Sequence, residues 1–249
     1  MGRFLFGIIG NPLTHSFSPN YFNNKFTSLG LDASYTRFEL DNISLFPGLI
    51  RQYENLIGLN VTLPFKQSIV PYLDVLNGAA EELKTVNTII KRQGRLSGYN
   101  TDVLGFEHLL IRNKISSLQS ALVLGSGGSS SAIQYVLRKI GMSYVVVSRG
   151  ESSDSRFIRY HDLNKELIQS HLVIIHCTPL GMYPNINESV AFPYEYLTPQ
   201  HTCIDLIYNP EKTLFLKQAE RKGSTLINGY DMLVAQAEAS WELWRSLIH

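Results

Sequence analysis

The sequence predicts an α/β protein, and the arrangement of its apolar residues carries that reading. Residues 1 to about 100 alternate short apolar strands with amphipathic stretches. From Ser120 the pattern changes to continuous apolar runs separated by helical stretches, as strands of a parallel sheet covered on both faces require. A third observation is the turn Gly125-Ser-Gly-Gly-Ser-Ser-Ser-Ala132, which joins one such run to a helix. At 249 residues, the chain is long enough for two modest domains or one large one.

Taken in order, Phe4–Ile9, Tyr35–Phe38 and Leu56–Val61 read as strands. Ser18-Pro19 opens a helix that Gly30 closes, with Phe22, Phe26 and Leu29 on one face. Val86–Lys91 and Arg95–Tyr99, joined by Gln93-Gly94, read as a hairpin. Thr101 or Asp102 then caps a helix running to about Asn113. Beyond it, Ala121–Gly125 is a strand buried on both faces. A helix over about Ser130–Ile140 and a second strand, Tyr144–Val147, follow. Leu172–His176 and Cys203–Tyr208 are further strands, with helices at about Leu163–Ser170 and Thr213–Lys222. The last segment, Gly229–Ile248, is helical and rich in Ala, Leu and Trp.

Composition narrows the function classes. The chain is 44% hydrophobic and 17% charged, as expected for a globular protein with a real core. A formal net charge of +1 gives no field that would draw nucleic acid or an anionic membrane, so neither is expected as a partner. No apolar run approaches the roughly 20 residues that span a bilayer, and the N-terminal strand shows no cleavable signal pattern. Cys177 and Cys203 lie in β-like apolar runs and are expected as buried free thiols, not as a disulfide or metal site. The cytoplasm is the expected compartment.

Asn60-Val-Thr-Leu-Pro-Phe-Lys66 places an amide, a hydroxyl and an ammonium at the end of an apolar strand. Pro64 stops the ladder there and sets up a turn or a first helical position. Strand ends are where open α/β sheets hold ligands. On these residues alone Lys66 is either a proton donor or an anion binder.

The glycine turn has the context that a dinucleotide fingerprint needs, a strand before it and a helix after it. Gly125 permits a tight turn, while Gly127 and Gly128 let backbone amides, with that of Ser126, approach a pyrophosphate at the helix N-terminus. The third glycine of the fingerprint is missing, with Ser130 in its place. An acidic residue after the second strand would hold the ribose of NAD; here the chain reads Val147-Ser148-Arg149. A guanidinium at that place suits the 2′-phosphate of NADP. Ser152 and Ser153 can add hydroxyl contacts, whereas Glu151 opposes the preference.

Five separate segments fit one pattern: Gly10-Asn-Pro-Leu-Thr-His-Ser-Phe-Ser-Pro19, Asn60–Lys66, Thr85-Val-Asn-Thr88, Gly98-Tyr-Asn-Thr-Asp102 and Asn228-Gly-Tyr-Asp-Met-Leu-Val-Ala-Gln236. Together with Cys177-Thr-Pro-Leu-Gly-Met182 and Asp205-Leu-Ile-Tyr-Asn-Pro210 they make the chain resemble the shikimate dehydrogenase family over nearly its whole length. The resemblance implies a reversible, NADPH-dependent reduction of 3-dehydroshikimate to shikimate, in aromatic amino acid (chorismate) biosynthesis. It also implies two α/β domains around a cleft. Residues 1–101 plus a returning C-terminal helix, 230–249, would bind shikimate; residues 102–229 would form a Rossmann-like NADP domain. A monomer or homodimer is expected.

The same resemblance assigns roles. Lys66 is the catalytic group and Asp102 its partner. Reducing a ketone needs a proton on the developing alkoxide, which a positioned ammonium supplies while stabilising the negative charge. Ser16 and Ser18 match the carboxylate-binding serines, although Ser18-Pro19 is also a good helix start. Asn60, Thr62, Asn87 and Gln236 match positions that hydrogen-bond the ring hydroxyls. Tyr208 is expected at the substrate carboxylate, Gly229 near the nicotinamide, and Thr178 and Met182 at that end of the cleft. His15 stays outside the catalytic set, and Trp241 and Trp244 read as packing. Two positions depart from the family: His176 stands where Asn usually precedes the Thr-Pro pair, and Ser148 where Asn usually precedes the phosphate-binding Arg. A second basic residue at the phosphate is absent unless Arg156 reaches in. The alternatives are a quinate/shikimate dehydrogenase using NAD or both coenzymes, and a non-catalytic nucleotide-responsive regulator on the same fold. A relative acting on an amino- or folate-linked substrate is disfavoured by the set of hydroxyl-binding positions.

Overall fold

The computed structural model describes residues 3–150 and 152–248. They form two compact units: one runs to Leu104 and resumes at Gln236, the other is Gly105–Ala235. Both divisions fall inside helices.

The first unit contains β1 (Phe4–Gly10), α1 (Ser18–Ser28), β2 (Ala33–Glu39), α2 (Phe46–Gln52), β3 (Leu56–Val61), β4 (Val75–Leu76), α3 (Ala79–Leu83), β5 (Thr88–Arg92), β6 (Arg95–Tyr99) and the start of α4 (Asp102–Arg112). Its six-stranded sheet has the order β2-β1-β3-β5-β6-β4. β1 runs parallel to β2 and β3, whereas β5 is antiparallel to both β3 and β6. Alternation along β1 divides the core: Leu5 and Ile9 join Phe38, Phe46, Leu59 and Val61 on one face. Phe6 and Ile8 join Phe22, Phe26, Tyr35, Trp241 and Trp244 on the other.

The hairpin turn at Gln93 and Gly94 has positive φ at both residues, 51° and 79°, the backbone that suits a tight two-residue connection. α1 ends where Gly30 takes φ +64°. Leu29 is the exception to its expected apolar face, being 52% exposed. The chain has already left the helix there, and Leu31 packs in its place, its N–H bonded to the Phe26 carbonyl at 3.0 Å. Pro64 lies in a turn, not in a helix.

Trp244 is fully buried. Its ring lies 5.1 Å from Phe6 and 5.2 Å from Phe22, and its Nε1–H donates to the Ile89 carbonyl at 3.0 Å. It also covers Gly58, where a Cβ would stand 2.6 Å from Nε1. Trp244→Ala leaves a large cavity and removes the indole hydrogen bond to Ile89, and we expect it to cost about 3–5 kcal/mol. Urea unfolding checks this; a loss below about 1 kcal/mol contradicts the packing account.

The second unit contains β7 (Ser120–Leu124), α5 (Gly128–Lys139), β8 (Ser143–Ser148), β9 (Phe157–Arg159), α6 (Lys165–Ser170), β10 (Val173–His176), β11 (Thr202–Asp205), α7 (Leu214–Glu220), β12 (Thr225–Ile227) and the start of α8 (Tyr230–Arg245), whose longer remainder belongs to the first unit. All its strand pairs are parallel, in the order β12-β11-β10-β7-β8-β9. Numbered from β7, this is 6-5-4-1-2-3, the doubly wound order whose direction reverses between the first and fourth strands. The strand expected over Cys203–Tyr208 ends early, at Asp205, because that carboxylate accepts the Ile207 N–H at 3.0 Å and bends the chain away. α6 begins at Lys165, two residues later than expected, where the Asn164 side chain accepts the Leu167 N–H. Cys203 is buried and Cys177 half-buried, both as free thiols. Among the described residues, no helix is long and apolar enough to cross a membrane.

Candidate active site

The end of β3 leads through Thr62 into a tight turn that carries Lys66. That turn is fixed by its backbone: the Phe65 N–H bonds to the Thr62 carbonyl (2.9 Å), and the Lys66 carbonyl accepts the Val86 N–H (2.8 Å). Asp102 is the first residue of α4, where a carboxylate also faces the positive end of the helix. Lys66 Nζ donates to Asp102 Oδ2 at 2.6 Å, and the two side chains are 15% and 10% exposed. The pair is thus largely withdrawn from water, where a charge interaction is stronger.

Asn87 locks the carboxylate from its other side. Its Nδ2 donates to Asp102 Oδ1 and to Thr101 Oγ1, each at 2.9 Å, while its Oδ1 accepts the Thr101 N–H at 2.7 Å. Asp102 therefore has both oxygens engaged and cannot swing away from Lys66. Gln236 Oε1 joins the cluster at 3.4 Å from Asn87 Nδ2 and 3.5 Å from Thr101 Oγ1.

Asn60 goes elsewhere. Its Oδ1 accepts the Tyr35 hydroxyl (2.7 Å), and its Nδ2 faces the Asn87 carbonyl, Thr88 Oγ1 and Ser240 Oγ at 3.1–3.2 Å. It is buried with its amide committed to the protein, so it acts behind the site, holding the Asn87 segment. Burial pushes the Tyr35 hydroxyl well above the usual tyrosine range, and a hydrogen bond from Ser18 only partly offsets this. Tyr35 is therefore a neutral phenol tying Ser18, at the start of α1, to Asn60. A hydrogen-bonded chain thus links Ser18 to the Asn87–Asp102–Lys66 group. Ser16 and Thr62 are half-buried at the same strand ends, and His15 is exposed.

The second unit holds the nucleotide turn. Gly125 follows β7 with φ +111°, a conformation that favours glycine, and a Cβ there would stand 2.9 Å from the Thr178 methyl. Gly127 precedes α5 without a side-chain cap. The open helix start and the space kept by glycine fit a pyrophosphate. Ser148 is buried and bonds to the Gly150 carbonyl at 2.9 Å, whereas Arg149 is exposed. Arg156 is engaged with its own neighbours. Its guanidinium is paired with Asp154 (Nη2 to Oδ2 2.6 Å) and bonded to the Tyr144 hydroxyl (2.6 Å). Those hydrogen bonds hold the Asp154 carboxyl down at about 2. Glu151, the residue expected to oppose NADP, lies outside the described residues.

Gly229 is buried between β12 and α8, where a Cβ would overlap the Leu206 backbone. Tyr208 is half-buried after β11, and Met182 is 42% exposed. Sequence reasoning missed Tyr35 and Ser240, whose hydroxyls meet Asn60 from β2 and α8. The signal was a polar residue on each otherwise apolar face, with no means of pairing them. Among the described residues there is no group of three or more His, Cys, Asp or Glu that could hold a metal.

Residues 8–89 match the family model described as shikimate dehydrogenase substrate binding domain. The chain is 39% identical to shikimate dehydrogenase (NADP(+)) of Dehalococcoides mccartyi, over 96% of this chain and 90% of that protein. Among solved structures, it is similar to shikimate 5-dehydrogenase of Thermus thermophilus in complex with NADP(H) and shikimate. That likeness has a TM-score of 0.85 at 29% identity, covering 98% of this chain and 94% of the other. Quinate dehydrogenase of Corynebacterium glutamicum in complex with NAD is similar at a TM-score of 0.85 and 25% identity, with the same coverage.

Proposed function

Since the chain belongs to the shikimate dehydrogenase family, we propose that Lys66 and Asp102 perform the proton transfer of its reaction. That reaction is the reversible NADPH-dependent reduction of 3-dehydroshikimate to shikimate, an oxidoreductase step of aromatic amino acid biosynthesis. The observation that supports the assignment is the 2.6 Å Lys66–Asp102 ion pair, clamped by Asn87 inside a largely buried cluster.

NADPH, when bound, supplies the hydride. As negative charge grows on the ketone oxygen, Lys66 Nζ gives up a proton to it. Asp102 spans only one of the three ammonium hydrogens, which leaves others to face the substrate. In the reverse direction the neutral lysine takes the proton from the alcohol, while Asp102 keeps its amine in place. Ser16, Ser18, Thr62, Asn87 and Gln236 offer neutral donors and acceptors suited to a carboxylate and ring hydroxyls. Asn60 sets the position of Asn87 behind them. On the second unit, Gly125, Ser126, Gly127 and Gly128 would receive the pyrophosphate, Ser148 and Arg149 the 2′-phosphate, and Thr178 and Gly229 the nicotinamide half. The unit containing Lys66 is thus the shikimate-binding one, and the protein works in the cytoplasm as a monomer or homodimer.

Initial rates on shikimate and quinate, each with NADP and NAD, test this reading. Shikimate with NADP is expected to be the fastest of the four combinations. Preference for NAD would overturn the role of Arg149, and preference for quinate would move the protein towards quinate oxidation.

A further inference from the structure

Two fully buried side chains of the second unit, His176 and Asp205, carry a polar network of their own. They end neighbouring strands, β10 and β11, as partners in register. Asp205 Oδ2 accepts the Thr213 hydroxyl, and its Oδ1 accepts the Ile207 N–H at 3.0 Å. The same Oδ1 lies 3.1 Å from His176 Nδ1. A carboxylate already taking two donors can face a ring nitrogen only if that nitrogen carries a proton, so Nδ1 is the donor. In the neutral ring Nε2 is then an acceptor, and the group within its reach is the Thr178 hydroxyl.

The consequence lies at Thr178. With that neutral ring its hydrogen is turned inward onto His176, and its oxygen takes the Leu180 N–H at 3.3 Å. One lone pair remains, on a residue that is only half-buried. Thr178 thus meets a ligand as an acceptor, not as a donor. Its place says which ligand group that is. β7 and β10 are neighbours at the point where the strand order reverses, the crevice where dinucleotides bind in such sheets. The Thr178 methyl stands against the Gly125 turn. With the pyrophosphate on α5 and Arg149 following β8 to one side, the nicotinamide half extends to the other, over β10. Of the donors on that half, the ribose hydroxyls and the carboxamide N–H, only the N–H cannot also accept, so it is the group matched to a position that can only accept.

We propose that His176 is a positioning residue for the coenzyme, holding Thr178 as the hydrogen-bond acceptor for the nicotinamide carboxamide. The proposal rests on the reading of the protein as an NADPH-dependent dehydrogenase. It separates two substitutions that a purely structural histidine would not. An asparagine reproduces Nδ1 and keeps the bond to Asp205, but is too short for Thr178. A glutamine reproduces Nε2 and keeps Thr178, at the expense of Asp205.

The test compares NADPH with its 3-acetylpyridine analogue, in which a methyl replaces the amide nitrogen, using 3-dehydroshikimate as substrate. Wild type should lose about tenfold on the analogue, both in Kd by titration calorimetry, which is independent of the analogue's redox potential, and in kcat/KM, the worth of one good hydrogen bond. His176→Gln should keep that penalty even if its thermal stability falls. His176→Asn and Thr178→Val should reduce it to within about twofold, chiefly through a raised KM for NADPH. The proposal is overturned if the penalty persists in His176→Asn and Thr178→Val, if it follows stability instead of reach, or if wild type shows none. Absence of any NADPH oxidation by wild type would instead overturn the dehydrogenase reading.

Discussion

Lys66→Ala is expected to lower kcat for 3-dehydroshikimate reduction by about 10²–10⁴, the usual worth of a positioned general acid. The fold should survive, because Lys66 sits on a turn held by backbone bonds to Thr62 and Val86 and contributes no core packing. Shikimate affinity, measured by titration, should change far less than turnover. Asp102 should stay ordered in this variant, since Asn87 still holds it. A fall confined to KM would mean that Lys66 only binds an anion, the other role open to it on sequence alone.

The second large effect is on the coenzyme. Arg149 is exposed at the end of β8, and Arg156 is committed to Asp154 and Tyr144. Arg149 is therefore the guanidinium to which we assign the 2′-phosphate. A charged hydrogen bond of this kind is worth about 1.5–3 kcal/mol, so Arg149→Ala should raise KM for NADP by roughly 10- to 100-fold. KM for NAD, which lacks the phosphate, should stay within about twofold. Equal effects on both coenzymes would place Arg149 at the shared part of the dinucleotide.

Much of this architecture is legible in the sequence where the pattern is long or the turn chemistry explicit. β3 matches its expected limits, Leu56–Val61. The Gln93-Gly94 hairpin declares itself through a turn that requires positive φ. The glycine turn between β7 and α5 declares itself through its flanking apolar run. What stayed hidden is short or non-local. β4, β9 and β12 have two or three residues each, too few for a period to show. α3 has five residues, and α2 carries Pro47 and Gly48 in its first turn, which read as a turn and not as a helix.

The candidate site divides the same way. Lys66 and Asp102 stand out as a cation and an anion at element ends. Asn60 stands out too, but its direction depends on Tyr35 and Ser240, which are 25 and 180 residues away in the chain. No spacing rule joins them. His176 and Asp205 meet only because β10 and β11 pair in one particular register. Such pairings are set by the sheet, and a one-residue slip would send both side chains to opposite faces.

Chemical rescue of Lys66→Ala tests the central claim, that Lys66 donates the proton, most directly. The measurement is the rate of NADPH oxidation at saturating 3-dehydroshikimate as methylammonium is added. The account predicts a low basal rate that rises with amine concentration, while wild type is unaffected. Turnover of Lys66→Ala within about tenfold of wild type before any amine is added would contradict it.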